Sequence, residues 1–176
     1  MNKTISPLTY KIVALEALQE TDINESVDWA LDMMQLGFKS PALFALAGFS
    51  KPVNYFETIA CLKEALQELK LELKQGEAAI VSYASYYIHQ ISNQQNIRAN
   101  LTQLFKFCQD IGYEASVYNF YLLYWAWDDL DYEENEHNNY WEGATRQNIQ
   151  TIVIQQAQQW LEQYKTKYTQ PNIQPR

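Results

Sequence analysis

Glycine and proline are scarce, with five of each in 176 residues. A fold of many short strands needs more turn residues than that, so long regular elements are expected and a turn-rich all-β fold is excluded. No apolar run approaches the roughly 20 residues a bilayer-spanning helix needs. Lys3 is followed by no apolar stretch, so no secretory signal is read, and the expected compartment is the cytoplasm. Only two cysteines occur, Cys61 and Cys108, both on apolar helical faces where a thiol acts as a small hydrophobe. There is no zinc spacing and no phosphate-binding glycine loop, so neither a metal nor a cofactor is expected.

Positive charge is missing locally. Residues 107–145 contain no lysine or arginine, yet they hold Asp110, Glu114, Asp128, Asp129, Asp131, Glu133, Glu134, Glu136 and Glu142. That segment carries −9, while the rest of the chain has 12 acids against 13 bases. The overall charge of −8 is therefore a regional property. Such a field repels nucleic acid and anionic membranes and attracts basic proteins. A protein partner is expected, with no nucleic acid and no membrane.

What is present is helical patterning. Hydrophobic residues make up 47% and aromatics 14%, a globular composition with enough chain for a substantial core. Ser6-Pro7 opens a first helix with Leu8, Ile12, Leu15 and Leu18 along its stripe. A second starts near Asn24 and turns Val27, Ala30, Leu31 and Met34 inward, with Gly37 as its stop. Ser40-Pro41 opens a short third helix through Leu43, Leu46 and Ala47, ended by Gly48. Asn54 and Glu57 resemble a capping box ahead of Tyr55, Ile59, Leu62, Leu66, Leu69 and Leu73, with Gly76 as the break.

Residues 77–92 use Val81, Ala84, Ile88 and Ile91, flanked by Tyr83 and Tyr87. Ile97, Leu101, Leu104, Cys108 and Ile111 define the next helix, closed by Gly112. Thr145 is placed as the cap of the last helix, which buries Ile149, Ile152, Val153, Ala157, Trp160, Leu161 and Tyr164. The expectation is an all-α chain of about seven to eight helices, either a compact multi-helix domain or stacked antiparallel helix pairs. Residues 1–165 form that single domain, and 166–176 a flexible tail.

The chain is organised around residues 117–141. Ser116 is read as the N-cap of a helix over 117–130 that is apolar on every side and so buried on most of its surface. The acidic run follows at its C-terminal end, where negative charge opposes the macrodipole. A solvated loop is the plain alternative for such a run. Tyr132, Tyr140 and Trp141 lie inside or beside it, off any helical stripe. Aromatic rings ringed by charge are the composition of a protein–protein hot spot: the rings supply contact area and the acids steer. The expected partner-binding residues are Asp128, Asp129, Asp131, Tyr132, Glu133, Glu134, Glu136, Tyr140 and Trp141.

The chemical alternatives are thin. Glu134 and His137 form one Glu-x-x-His pair, but a di-iron site needs a second, and His89 has no acid at that offset. Asp129, Asp131 and Glu133 match three calcium-loop positions, but Glu134 stands where glycine is required and Tyr140 where the bidentate glutamate belongs. A nucleophilic Cys108–His89 dyad has no supporting motif. No catalytic residue is assigned, and the chain is not read as an enzyme.

Asp28-Trp29-Ala30, Leu46-Ala47-Gly48 with Pro52 and Phe56, Tyr121-Leu122-Leu123-Tyr124, and Tyr140-Trp141-Glu142-Gly143 with Trp160-Leu161 resemble small acidic all-helical bacterial proteins of the polymorphic-toxin immunity type. The resemblance covers most of the chain. It implies a protein that binds and neutralises a cognate toxin, a basic, nuclease-like one given the charge, and catalyses nothing. It transfers no contact residue. The first rival reading is a helical scaffold or adaptor that takes a host protein into a groove between helices, and the second, behind it, is an enzyme or metal-binding protein.

Overall fold

Most helix ends in this chain follow local signals, and a few are set by partners distant in sequence. A computed structural model describes residues 4–18, 20–132, 134 and 136–171. The fold is all-α. Among the described residues there are nine α-helices, one 3-10 turn and no strand. The helices are α1 (Thr9–Ile12), α2 (Glu20–Ile23), α3 (Glu25–Gln35), α4 (Pro41–Ala47), α5 (Tyr55–Glu68), α6 (Glu77–Ser92), α7 (Ile97–Asp110), α8 (Tyr118–Asp131) and α9 (Ile149–Tyr168). They group into two compact units, 1–83 with 166–176 and 84–165, whose boundaries fall inside α6 and α9.

In the first unit α3, α4 and α5 pack in succession, with α1 against α3 and α2 against α3 and α5. Ser40 caps α4 as its sequence implies, its hydroxyl accepting the Leu43 amide at 3.1 Å, and Asn54 caps α5 through the Glu57 amide at 3.2 Å. The core is Ile12, Val13, Trp29, Met33, Phe38, Leu43, Leu46, Leu62 and Leu66 with smaller neighbours. On α3 the inward face is Val27, Trp29, Ala30 and Met33, so the expected placement of Leu31 and Met34 is corrected: both are exposed. Trp29 takes their place because its indole N–H reaches the Thr9 hydroxyl at 2.9 Å.

The long first helix is also corrected. An α-helix continuing past Ile12 would offer the Tyr10 carbonyl to residue 14 and the Val13 carbonyl to residue 17. Here Ser82 Oγ donates to the Tyr10 carbonyl at 2.5 Å and the Lys74 amide to the Val13 carbonyl at 3.1 Å. The chain turns at Ala14 instead, and Leu15–Ala17 form the 3-10 turn. Likewise α5 stops at Glu68, short of Leu73. Lys70 adopts φ +56, and the Leu71 amide returns to the Leu66 carbonyl at 2.9 Å, a left-handed ending made without glycine.

A buried ionic group holds this unit from within. Lys11, 1% exposed, lies 2.7 Å from Asp22 and 3.0 Å from Glu25, with its ammonium over the Tyr83 ring at 5.2 Å. The Tyr83 hydroxyl donates to Asp22 at 3.0 Å. Charges taken out of water are tolerable only with partners this close.

Residues 166–171, placed in the tail by the sequence, are held. α9 runs through Tyr168, whose ring meets Tyr10 edge-on at 5.7 Å. Gln170 exchanges two hydrogen bonds with the backbone of Glu72, at 2.9 and 2.8 Å. Residues 172–176 lie outside the described residues.

In the second unit α7 packs along α8. Leu101, Leu104 and Cys108 are buried as their spacing predicts, and Gly112 at φ +75 ends the turn after α7. Ala84, Ile88 and Ile91 are buried from α6. From α9, Ile149, Val153, Ala157 and Trp160 point inward.

Candidate functional site

α8 is fully buried on one side and partly covered on the other. Val117, Phe120, Leu123, Ala126 and Leu130 face the core of their unit. The expectation of burial on most of its surface holds only in part: Tyr118 is exposed, and Tyr121, Leu122, Tyr124, Trp125 and Trp127 are half-buried. Ser116 is not the N-cap. Its hydroxyl is buried without a hydrogen bond, and its carbonyl accepts the Trp160 indole N–H at 2.6 Å. Val117 occupies the cap position with no side-chain bond.

The half-buried side is a ladder of rings. Phe105 of α7 stacks on Tyr124 at 3.9 Å and on Tyr121 at 5.3 Å, and Tyr121 stacks on Tyr118 at 5.5 Å, all within 18° of parallel. Tyr113 meets Tyr121 edge-on at 5.2 Å. Beside Phe105, Trp125 stands edge-on at 5.5 Å and stacks in turn on Tyr140 at 6.0 Å. Pairs of this kind contribute about 0.5–1.5 kcal/mol each beyond burial. At its outer end Tyr113, Ala115, Tyr118 and Tyr121 line an open groove of about 510 Å³.

The acids at the end of α8 are placed by two arginines. Arg98 of α7 lies over the rings of Tyr124 and Trp127, 5.1 Å from each centroid. Its guanidinium donates to Asp131 at 3.2 Å and Asp128 at 3.5 Å. Arg146 donates from Nε to the Leu130 carbonyl at 2.5 Å and from Nη2 to the Tyr132 carbonyl. Positive charge thus stands where the helix end exposes carbonyls, which offsets the unfavourable position of the acids. Trp127, Leu130, Asp131, Arg146 and Ile149 line a smaller cavity of about 320 Å³.

The following loop is built on Asn138. Its Oδ1 accepts the amides of Tyr140 at 3.0 Å and Trp141 at 2.6 Å, and its Nδ2 donates to the carbonyls of Trp141 and Ala144, both at 3.1 Å. Asp129 accepts the Asn139 amide at 3.5 Å. These bonds hold Tyr140 where it covers Trp125.

The nine residues singled out from sequence therefore separate. Asp128 and Asp131 gather around Arg98. Asp129, on α8, meets the following loop at the Asn139 amide, and within that loop Tyr140 stacks on Trp125 while Trp141 is half-buried. Tyr132, 63% exposed, Glu134 and Glu136 are open to solvent. Glu133 lies outside the described residues. The sequence reading missed Arg98, Arg146 and Phe105. Arg98 and Phe105 stand seven residues apart on one side of α7, beside its apolar stripe, and that spacing was the available signal.

Other chemistry is muted here. Burial, with Glu114 adding to it, pushes the Cys108 thiol up to about 11. Burial and then Glu64 and Glu68 raise Cys61. Neither microenvironment favours a thiolate, the form a nucleophile needs. Among the described residues no three His, Cys, Asp or Glu side chains are grouped to hold a metal ion, and no helix is long and apolar enough to cross a membrane. Glu134 and His137 are both exposed. No protein-family model, curated protein or solved structure matches the chain.

Proposed function

We propose that the chain is a protein-binding inhibitor of the bacterial immunity type. It neutralises a basic, nuclease-like toxin through the face formed by α8 and the loop after it. The observation that carries this reading is a ladder of stacked rings, half-buried along its length and exposed at Tyr113, Tyr118 and Tyr140, on the same helix and loop as the acidic run. The exposed tyrosines at its ends offer large apolar faces of the kind an interface uses as anchors. The rim acids Glu134 and Glu136 steer a basic partner in. Asp128 and Asp131, held by Arg98, contribute less field than their number suggests.

The test is association kinetics. The tagged chain is used as bait at low and then high salt, and the basic protein it retains is purified. Charge reversal at the solvent-open positions, Glu134→Lys with Glu136→Lys, should slow association with that protein by about tenfold or more at low salt and much less at high salt. An unchanged rate would remove the acidic rim from the interface. A scaffold that takes a host protein into a groove is the second reading, favoured by the tyrosine-lined groove. It predicts binding insensitive to that reversal.

A further inference from the structure

We propose that the tyrosine groove at the start of α8 receives an arginine side chain of the protein partner, an inference that rests on the basic-partner reading above. The protein already contains one seat of the required chemistry. Arg98 lies over Tyr124 and Trp127 at 5.1 Å from each ring, with Asp131 and Asp128 at its edge. A guanidinium suits such a place because it is planar, weakly hydrated and stacks on rings while its N–H groups reach carboxylates.

From Tyr124 the near-parallel rings continue through Phe105 and Tyr121 to Tyr118. One end of the ladder is thus filled by the chain's own arginine, and the other opens as the groove. There Tyr118 is 39% and Tyr113 49% exposed. With about 510 Å³ the groove has room for a side chain and the backbone that carries it.

Charge selects the occupant. Unit 84–165 has ten acids against four bases, and two of those bases, Arg98 and Arg146, are already engaged at the end of α8. Glu114 stands in the chain between Tyr113 and Ala115, with one carboxylate oxygen fixed by the Ser116 amide at 3.2 Å. An anionic or nucleic-acid ligand would be repelled. A lysine would find the charge but not the stacking partner, since its ammonium is a compact, strongly hydrated point.

The test uses the intact chain and three capped peptides, Gly-Arg-Gly, Gly-Lys-Gly and Gly-citrulline-Gly, followed by NMR chemical shifts. Citrulline keeps the plane of arginine and removes its charge. The arginine peptide should shift the signals of Tyr113, Ala115 and Tyr118, with lysine and citrulline each weaker by about fivefold. Tyr113→Ala and Tyr118→Ala, made at exposed rings so that the fold survives, should each weaken the arginine peptide by about the same factor. Both should also hasten dissociation of the captured partner. Equal response to arginine and lysine, shifts confined to residues 128–142, no response at all, or indifference to both tyrosine changes would overturn the inference. Partner capture that depends on Glu134 and Glu136 but not on the tyrosines would overturn this inference alone, while indifference to the acids would overturn the basic-partner reading itself.

Discussion

The two units handle charge in opposite ways. Residues 1–83 with 166–176 carry nine bases and eleven acids, and they bring some of them inside: Lys11, Asp22 and Lys74 are all buried. Residues 84–165 carry four bases and ten acids, and among the described residues none of these is buried. The aromatics follow the same division. Nine of the 13 tyrosines and four of the five tryptophans lie in 84–165, and most of them reach the surface. In the first unit charge specifies how short helices meet. In the second it stays at the surface, part of it beside rings, as Arg98, Asp128 and Asp131 do at the end of α8.

The comparison breaks first at Lys11. Lys11→Met removes the ammonium 2.7 Å from the buried Asp22 carboxylate, and this should cost about 3–5 kcal/mol in urea unfolding. Pairing it with Asp22→Asn, which keeps an acceptor for the Tyr83 hydroxyl, should restore a large part of the loss. If the single change costs no more than about 0.5 kcal/mol, the ion group is dispensable and the first unit is held by its apolar core alone.

On the other side, Glu134→Lys with Glu136→Lys should leave stability within about 0.5 kcal/mol while changing partner association as described above. Arg98 lies between these extremes. Arg98→Met keeps the stem and removes the guanidinium from Tyr124, Trp127, Asp128 and Asp131. A loss of about 1–2 kcal/mol is expected, and it should shrink when salt screens the acids left at the end of α8. Thermal unfolding at low and high ionic strength measures it. An unchanged melting temperature would mean that the ladder positions Arg98 without needing it.

These cases also explain what the sequence made legible. α4, α6 and α7 were readable because their signals are local: a serine cap, a stripe at helical spacing, a glycine at the end. α1 and the end of α5 were not, because Ser82 and Lys74 take carbonyls from a segment some 60–70 positions away and Lys70 turns left-handed without glycine. At the site, acidity and nearby aromatics could be read directly. Their sorting could not, because Arg98 comes from a neighbouring helix 30 positions before Asp128, and Phe105, the central ring of the ladder, is unremarkable in its own helix.

The smallest expected effect tests the interior of the second unit, where titratable groups are few. His89 is half-buried on α6, and its Nδ1 hydrogen donates to the Ser85 carbonyl at 2.7 Å. Burial lowers its pKa, and that hydrogen bond opposes the shift without cancelling it. The folded state therefore holds the proton less tightly than the unfolded chain, whose imidazole titrates near about 6.5. The stability this contributes is fully present above that pH and is lost as pH falls through the folded value. Urea midpoints of the wild type should drop between about pH 7.5 and 5.5. His89→Gln, which cannot take up the proton, should show a smaller drop over the same range. Because carboxylates also begin to titrate at the acid end, the difference between the two proteins is the quantity to read. Parallel pH profiles would mean that the imidazole is charged at no cost where it sits. The second unit would then tolerate charge inside as the first does, and the contrast between them would reduce to the surface alone.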